Sequence, residues 1–286
     1  MPEGIGVLSK TGIKACTSWG ETWAAVDQQI PFNDESIKQQ IEWNENNCLE
    51  GSAGHRAPDG GLIKIEGPFK ADFDYYNFDT LLEMALGAAA GTVFTIADDH
   101  SKMFRMEIEK SVSRWRYDGA MIDMFSLTGE KGKIVQAEFG LVCRSLSRSA
   151  TAFPSLSIAN MSRVRFSVST SNSRIRIADQ ADALASGDEV GWEYFKLTLQ
   201  RKLKKDDGTN QGRYVLQPKI DGFREVKLEM RIPRYSADTY HTWKDAPTKL
   251  QSDIYFTDGT RSYLIEIPEM LIEDGLDAGA KGPGVI

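Results

Sequence analysis

The side chains best suited to chemistry are few and scattered along this chain. Its three histidines, His55, His100 and His241, stand far apart in the sequence. Asp99 precedes His100, and the two can be drawn as an acid–base couple, but a charged turn between two strands is the better interpretation. A metal site needs several ligands at close spacing, which these histidines do not offer. We therefore expect neither a metal nor a cofactor.

The glycine-rich and acidic turns match no catalytic or nucleotide motif. A phosphate-binding loop needs G-x-x-x-x-G-K-[ST], whereas residues 129–134 read GEKGKI, with the wrong spacing and no hydroxyl group. The chain also lacks the G-x-S-x-G that places a nucleophilic serine on a sharp turn. Residues 206–208 read DDG, as at the start of a calcium loop, but no glutamate follows at the twelfth position. A hairpin turn is the prediction there, and the chain is not expected to be an enzyme.

Two pairs of arginines have the spacing of a strand face. Arg163 and Arg165 are two residues apart, as are Arg174 and Arg176, so each pair points to one side of its strand. The four side chains form either a basic face for contact with another subunit or an ordinary solvated face, and both readings stay open here.

The tryptophans favour packing over ligand binding. Six tryptophans are present, which suits a sugar-binding module. Four of them stand beside apolar positions of predicted elements, where core or interface packing is the better interpretation: Trp43, Trp115, Trp192 and Trp243.

Charge is unevenly distributed along the 286 residues. Residues 1–150 carry 15 Lys and Arg against 22 Asp and Glu, whereas the remainder carries 19 of each. An acidic first half disfavours tight binding to nucleic-acid phosphates. No apolar run is long enough to cross a membrane, and the first residues lack the pattern of a signal peptide. Three cysteines without a C-x-x-C pair predict neither disulfides nor a zinc site.

Hydrophobic periodicity predicts a mainly β chain with one helix in each half. In the first half, strands are predicted near 36–43, 62–73, 93–97, 102–109, 120–127 and 134–145. The helix begins after Asn77, carries Phe78, Leu81, Leu82, Ala85 and Leu86 on one stripe, and ends at Gly87. In the second half, strands are predicted near 163–169, 173–177, 194–204, 224–232, 252–257 and 262–267, with a helix over 236–243.

Segments between these elements have distinct compositions. Residues 1–29 are read as an extended N-terminal arm, 145–154 as a linker and 273–286 as a flexible C-terminal tail. Residues 44–61 are rich in Gly, Asn, Asp and Pro, and a connection of this length usually has a function.

A repeat links the two halves at a fixed shift of 159 residues. The shift carries Tyr76 onto Tyr235, Asp79 onto Asp238 and Thr80 onto Thr239. It also carries Asp99, Phe104, Glu107 and Ile108 onto Asp258, Tyr263, Glu266 and Ile267. The period is too long for a solenoid, so it predicts a duplicated domain, with modules at 30–148 and 156–272.

The first module resembles the tail tube proteins of long-tailed bacteriophages. The resemblance lies in IPFNDESIK at 30–38, in Gly67-Pro68, and in YNFDTLLEMALG at 76–87, preceded by the glycine-rich loop. It extends over about residues 28–145, and it reaches 156–272 mainly through the internal repeat.

The resemblance implies a fold and an assembly. Each module would be an antiparallel β-sandwich or barrel with one flanking α-helix, and rings of six modules would stack into a hollow tube through which DNA is ejected. Two modules per chain would give a ring of three chains, with a hexamer of chains as the second choice. The arm, the long loop and the tail would bridge rings, and the loop candidates are Glu50, Gly54, His55, Arg56 and Pro58.

The tube would also have a defined inner wall and further partners. Its lumen would be acidic, so that DNA passes without specific binding, and alternation in the strand at 134–145 makes Gln136 and Glu138 the lumen candidates. A tape measure protein and tail-end proteins would be partners, in a virion assembled in the host cytoplasm, with no membrane involved.

Other functions remain open at this point. Within the structural class, a distal-tail, tail-terminator or capsid-decoration protein is possible. A tail-borne carbohydrate-binding module would use exposed tryptophans, and a β-sandwich hydrolase would use Asp99 or His100.

Overall fold

The computed structural model describes residues 9–44, 59–97, 101–110, 113–158, 160–166, 172–208, 212–232, 239–246 and 248–272. Within these ranges the chain is mainly β, as predicted, with two α-helices and a short 3-10 helix, Ser186–Asp188. The helices are α1 (Asp79–Leu86) and α2 (Thr239–Asp245). The strands are β1 (Lys10–Cys16), β2 (Gln28–Ile30), β3 (Asp34–Glu35), β4 (Lys38–Asn44), β5 (Asp59–Asp72), β6 (Gly87–Ala90), β7 (Val93–Ile96), β8 (Met103–Lys110), β9 (Ser113–Glu130), β10 (Gln136–Cys143), β11 (Ser145–Ser149), β12 (Ser173–Asp179), β13 (Tyr194–Gln200), β14 (Leu203–Lys204), β15 (Lys219–Ile220), β16 (Glu225–Arg231), β17 (Leu250–Thr257) and β18 (Ser262–Met270).

The chain divides into two compact units that interleave in sequence. Unit 1 comprises Met1–Thr128, Gln136–Arg163 and Lys196–Leu228. Unit 2 comprises Gly129–Val135, Val164–Phe195 and Glu229–Ile286. The modules expected from the sequence, at 30–148 and 156–272, follow one another instead, and their boundaries stay a prediction.

Unit 1 is built on antiparallel strands in the order β2-β1-β8-β9-β10-β5-β3, with β4 also pairing β5 and β11 also pairing β9. The long strand β9 joins two parts of this sheet: its first half pairs with β8 and β11, and its second half with β10. Between the halves, Gly119 has φ 61, and an added Cβ would lie 3.1 Å from the Trp19 carbonyl oxygen. A glycine at this point therefore lets the strand turn while the chain near Trp19 packs against it.

Aromatic rings fill the core of unit 1. Alternation on β10 points Ala137, Phe139 and Leu141 inward, as predicted. The ring centroid of Phe139 lies 5.2 Å from that of Phe125 and 6.0 Å from that of Phe78, which precedes α1. The helix is thus attached to the sheet by stacked aromatic rings, each of which removes a large apolar area from water.

The predicted helix α1 is confirmed, and its C-terminal end is as expected. Gly87 has φ 100, and its N–H donates to the carbonyl oxygen of Glu83, as in a left-handed helix end. The predicted cap, Asn77, is wrong. Phe78 takes the N-cap position without a side-chain hydrogen bond, and the Asn77 amide instead donates to the buried carboxylate of Asp74 at 2.7 Å.

Two segments expected to lie outside the core are strands. Residues 10–16 were read as part of an extended arm, which is wrong: β1 pairs with β8 along its whole length and buries Ile13. Residues 145–149 were read as the start of a linker, which is also wrong, because β11 pairs with β9. Both strands are short in apolar residues, and they are held by partners that sequence periodicity does not reveal. The predicted tail, 273–286, lies outside the described residues.

Unit 2 contains the three-stranded antiparallel sheet β12-β17-β18. Its core is aromatic as well, since Phe195 lies between Trp192 and Phe256, with ring centroids 4.9 and 5.7 Å away. The predicted second helix is present as α2, in which Tyr240 packs edge to face on Trp243 at 5.5 Å.

Secondary structure recurs at the spacing of the sequence repeat. Strands β8 and β18 begin 159 residues apart, at Met103 and Ser262, and helices α1 and α2 begin 160 apart, at Asp79 and Thr239. Strand pairing does not recur in the same way, because β8 pairs with β1 and β9 whereas β18 pairs with β17.

Candidate assembly surface

One face of the sheet in unit 1 is polar, and it carries both lumen candidates. Gln136 is exposed on β10 opposite Asp72 of β5, and Glu138 is half-buried opposite Lys70. The next strand, β3, places Asp34 on the other side of Lys70. Because strand side chains alternate, this polar face is the reverse of the one that buries Phe139.

A hydrogen-bond network fixes the end of this polar face. The Asn33 amide donates to Asp72 at 2.7 Å and to the side-chain oxygen of Gln136 at 2.9 Å. Gln136 in turn donates to Asp72 at 2.6 Å, and Arg163 forms an ion pair with the same carboxylate at 3.0 Å. Asp72 therefore organises three side chains, and its charge is already matched by Arg163.

The polar face is close to neutral. Glu138 and Lys70 lie 3.8 Å apart, and on the neighbouring strands Lys38 stands opposite Glu66. Lys205 lies 3.6 Å from Glu66 and 2.6 Å from Asp123, so it is shared between two carboxylates. Exposed pairs of this kind contribute little to stability, but they cancel each other's field at a distance. The acidic surplus of residues 1–150 is thus not concentrated on the face that carries Glu138.

The four arginines proposed as a contact face are largely engaged within the chain. In unit 1, Arg163 pairs with Asp72. In unit 2, Arg176 makes a forked contact with Asp253 through Nε at 3.0 and 3.1 Å, and its guanidinium group keeps a raised pKa because of that partner. Arg174 lies over the ring of Tyr255 at 4.4 Å, and Arg165 is exposed. Whether they meet another subunit stays a prediction.

The loop candidates Glu50, Gly54, His55, Arg56 and Pro58 lie outside the described residues. The strands on either side of that loop are described. β4 and β5 pair antiparallel, and the last pair in the register is Asn44 with Asp59. The segment 45–58 therefore leaves and re-enters the sheet at one place.

Residues 17–27, which we call the strap, pack over charged side chains of unit 1. These side chains were not predicted from the sequence as functional or structural sites. Beneath the strap lies Arg105, fully buried, with Glu21 at 3.1 Å and Asp118 at 3.2 Å. Trp19 donates its indole N–H to the Val215 carbonyl oxygen at 3.3 Å. The alternating pattern of MFRMEIEK, at residues 103–110, predicts a strand that contains Arg105. Such a pattern does not show whether the arginine side chain is buried or exposed.

The tryptophans divide between core and surface. Trp192 is buried, in agreement with the expected packing, whereas Trp43 is 59% exposed, so of the two expected roles, core or interface packing, only interface packing remains for Trp43. Trp115 is half-buried, with Lys110 at 4.0 Å and Arg148 at 4.8 Å over its ring. Trp43 stands near the end of β4, opposite Gly60, which has no side chain to cover it.

Other exposed apolar side chains lie on unit 1. Phe223 is 93% exposed at the turn between β15 and β16, and Ile96 and Val226 are also exposed. Tyr214 and Leu216 are exposed on the segment between β14 and β15. Where exposed apolar side chains form a contiguous patch, the patch marks a contact with another protein or a ligand, whereas single exposed apolar side chains are ordinary.

The described residues contain no metal-binding cluster. Within them, no three His, Cys, Asp or Glu side chains come together as metal ligands. Asp99 and His100 lie outside the described residues, and His241 lies on α2. Neither described helix, at eight and seven residues, is long enough to cross a bilayer.

Comparison with known proteins agrees with the β architecture. A family model described as phage tail tube protein matches residues 6–285. A comparison with curated proteins found no match. The family match spans nearly the whole chain, both units included, and therefore the chain belongs to the phage tail tube protein family.

Proposed function

We propose that this protein polymerises as stacked rings into the hollow tube of a phage tail, and that the tube conducts DNA during ejection. The observation that carries the proposal is the family match over residues 6–285. Membership of the family implies a structural component of the virion tail that assembles with itself. The mainly β architecture suits this role, since strand edges and exposed apolar side chains are what identical subunits bury in one another.

The ring is proposed to contain three chains, each supplying two modules. Support comes from the sequence repeat and from the spacing of β8 with β18 and of α1 with α2. Two observations count against two equivalent modules in each chain. Strands β8 and β18 pair with non-equivalent partners, and the two compact units interleave in sequence. A ring of six chains is the alternative if each chain behaves as one module.

The lumen is proposed to be lined by the polar face that carries Gln136 and Glu138. A wall that conducts DNA must not bind it, because lysines and arginines that neutralise phosphates hold nucleic acid tightly. A face on which Glu138 stands beside Lys70 and Asp72 beside Arg163 offers few unpaired cations. A lumen wall whose lysines and arginines are paired with carboxylates would therefore avoid binding DNA, as an acidic wall would.

The long loop is proposed to contact an adjacent ring, with assembly taking place in the host cytoplasm around a tape measure protein and between tail-end proteins. Support for the loop comes from its length and from the place where β4 and β5 end together at Asn44 and Asp59. A loop rooted at one point of a sheet can extend away from it without disturbing the pairing.

Electron microscopy of the purified protein tests the proposal. Negative staining over a range of concentrations is expected to show rings or tubes with a central channel, and averaged end views give the number of chains per ring. A protein that stays monomeric at every concentration refutes the proposed function. Rings of six chains refute only the three-chain arrangement. Native mass spectrometry distinguishes the two rings, because each chain adds 31.9 kDa.

A further inference from the structure

Two antiparallel arms of unit 1, residues 201–208 and 212–225, form a hairpin with an exposed apolar surface at each end. Its two arms are held by the β14–β15 pair, Leu203 with Ile220 and Lys204 with Lys219, and by a hydrogen bond of 2.8 Å from the Leu216 N–H to the Asp207 carbonyl oxygen. The order of these contacts along the arms places residues 207 and 216 toward one end and residues 202 and 221 toward the other.

The first surface lies at the base of the hairpin, and we call it the base surface: Ile96, Phe223 and Val226. The turn that carries Phe223 is held at several points. The Asp221 N–H donates to the Lys202 carbonyl oxygen at 2.9 Å, and Lys202 forms an ion pair with Glu225 at 3.3 Å. Arg224 donates to the carbonyl oxygen of Ala97, next to Ile96. A ring that is 93% exposed is therefore presented by a fixed turn rather than by a loose loop.

The second surface lies at the other end of the hairpin, and we call it the tip surface: Trp43, Tyr214 and Leu216. Two strand contacts bring these residues to the start of β5. Trp43 stands opposite Gly60 on one edge of β5, and Tyr214 forms a parallel bridge with Ile63. The Ile63 N–H donates to the Arg213 carbonyl oxygen at 2.6 Å, which ties the hairpin to β5.

A subunit that adds to others in one direction needs two different, complementary surfaces. A single self-complementary surface closes a pair of subunits and stops, whereas two distinct surfaces continue into a ring or a filament. The base and tip surfaces are distinct, both are apolar and exposed, and both are held in place by hydrogen bonds or strand pairing. Tryptophan and tyrosine, both present on the tip surface, are also among the residues that dominate the binding energy of protein interfaces.

We propose that the base surface of one copy binds the tip surface of the next copy, with Phe223 packed against Trp43 and Tyr214. The partner is a second copy of this chain, because membership of the tail tube family requires contacts between identical subunits. This inference rests on the proposed self-assembly and adds the residues that carry one of its contacts. The hairpin then connects successive subunits, since each end meets a different neighbour.

Substitution of Phe223 tests the energetic part of the inference. Phe223→Ser removes the ring and is expected to raise the critical concentration for tube formation at least about tenfold. Phe223→Leu keeps an apolar side chain and is expected to have a smaller effect. Leu271→Ser is the matched control, because Leu271 is 54% exposed in unit 2 and belongs to neither surface. Circular dichroism and thermal melting should be unchanged for all three variants.

Cross-linking tests the proposed pairing. In a Cys48→Ser background, Val226→Cys and Leu216→Cys proteins, which keep Phe223, Trp43 and Tyr214, are purified separately, mixed, and treated with a short bis-maleimide. The remaining thiols, Cys16 and Cys143, are buried. Cross-linked dimers are expected only in the mixture. A Val226→Cys protein that cross-links to itself, or no cross-linking within tubes, overturns the inference.

The two proposals fail in different ways. Wild-type protein that never forms rings or tubes refutes the proposed function. Tubes that form from Phe223→Ser at the wild-type concentration refute the inference and leave the proposed function standing.

Discussion

Arg105 and Glu21 form an ion pair of 3.1 Å between a fully buried guanidinium group and a carboxylate on the strap. Arg105 also contacts Asp118 at 3.2 Å and donates to the carbonyl oxygen of Thr22. A buried cation is stable only when such partners are present, because removing it from water is costly. The strap therefore depends on a polar contact at its centre as well as on the packing of Trp19.

Replacing Arg105 is expected to loosen the strap and lower the stability of unit 1. Arg105→Met keeps much of the side-chain volume but leaves Glu21 and Asp118 without their cation, at a cost of about 2–3 kcal/mol in the free energy of unfolding. Urea unfolding followed by circular dichroism measures the change. Lys133→Met is the control, since Lys133 is 70% exposed and a change within about 0.5 kcal/mol is expected. Equal effects for both variants would contradict the role assigned to Arg105.

Acid is expected to release the strap before it unfolds the protein. The pKa of Glu21 is lowered from 4.5 to about 2, first by the Thr17 backbone N–H, then by the Thr17 hydroxyl group and Arg105. A lowered pKa in the folded state means that the contribution of Glu21 is complete above its ordinary pKa and is lost as the pH falls toward 2.

Fluorescence of Trp19 and Trp23, or hydrogen exchange of residues 17–27, measures this release between pH 5 and pH 2. Glu21→Gln should show no such transition in the strap. Glu269→Gln serves as the control because Lys249 lowers the pKa of Glu269, a carboxylate that belongs to unit 2 and is not part of the strap. A strap signal that responds to pH in the same way in Glu21→Gln would show that another group controls it.

Gly67 is expected to tolerate no side chain. A Cβ built there would lie 2.4 Å from the Ser36 carbonyl oxygen and 2.7 Å from the Ile37 Cα, both of them backbone atoms that cannot move aside easily. Gly67→Ala should therefore destabilise unit 1 by about 1–3 kcal/mol, as overpacked sites do. Gly187→Ala is the matched control, since a Cβ there meets nothing within 4 Å. A shift in the urea midpoint of equal size for both variants would refute the steric argument.

Deleting residues 50–58 is expected to leave the fold intact and abolish long tubes. β4 and β5 pair up to Asn44 and Asp59, so the five residues 45–49 remain to join them, and a connection of that length is common in hairpins. Circular dichroism checks the fold, and electron microscopy measures tube length. A variant in which a Gly-Ser segment of nine residues replaces residues 50–58 shows whether tube formation depends on the length of the loop or on its sequence. Tubes of normal length from the deletion variant would exclude the loop as a contact between rings.

Adding cations to the proposed lumen face is expected to slow DNA transit. Gln136→Lys and Glu138→Lys introduce positive charge beside Lys70 and leave the buried reverse face unchanged. Phage carrying both changes should assemble tails but eject DNA more slowly, most clearly at low salt, where phosphate contacts are strongest. Lys249→Glu, which alters an exposed residue in unit 2, controls for a general change of charge. If a Glu138→Cys variant reacts fully with a bulky thiol reagent in intact tubes, residue 138 lies on the outer surface of the tube and the proposed lumen face is wrong.

Sequence periodicity was sufficient for elements whose partners are adjacent or whose burial alternates regularly. It predicted α1 with its end at Gly87, the inward set on β10, and the strands that became β12, β17 and β18. It missed β1, because the burial of residues 10–16 depends on pairing with β8 about ninety residues later. Periodicity also gave no signal that Arg105 is buried or that Trp43 is exposed. Side-chain burial at these positions is decided by what crosses the strand, which the strand's own pattern does not encode.

Arg201 carries a consequence for the order in which unit 1 is completed. This buried side chain donates to the carbonyl oxygen of Met84, near the C-terminal end of α1, at 3.0 Å, and to that of Ile122 at 3.3 Å. Unit 1 also takes in Lys196–Leu228 as a whole. During synthesis, the contacts of Met84 and Ile122 with Arg201 can form only after some eighty to one hundred and twenty further residues have been translated. A chain released early from the ribosome lacks this closing segment. A complete unit 1, with the hairpin at 201–225, thus becomes available only after most of the chain has been translated.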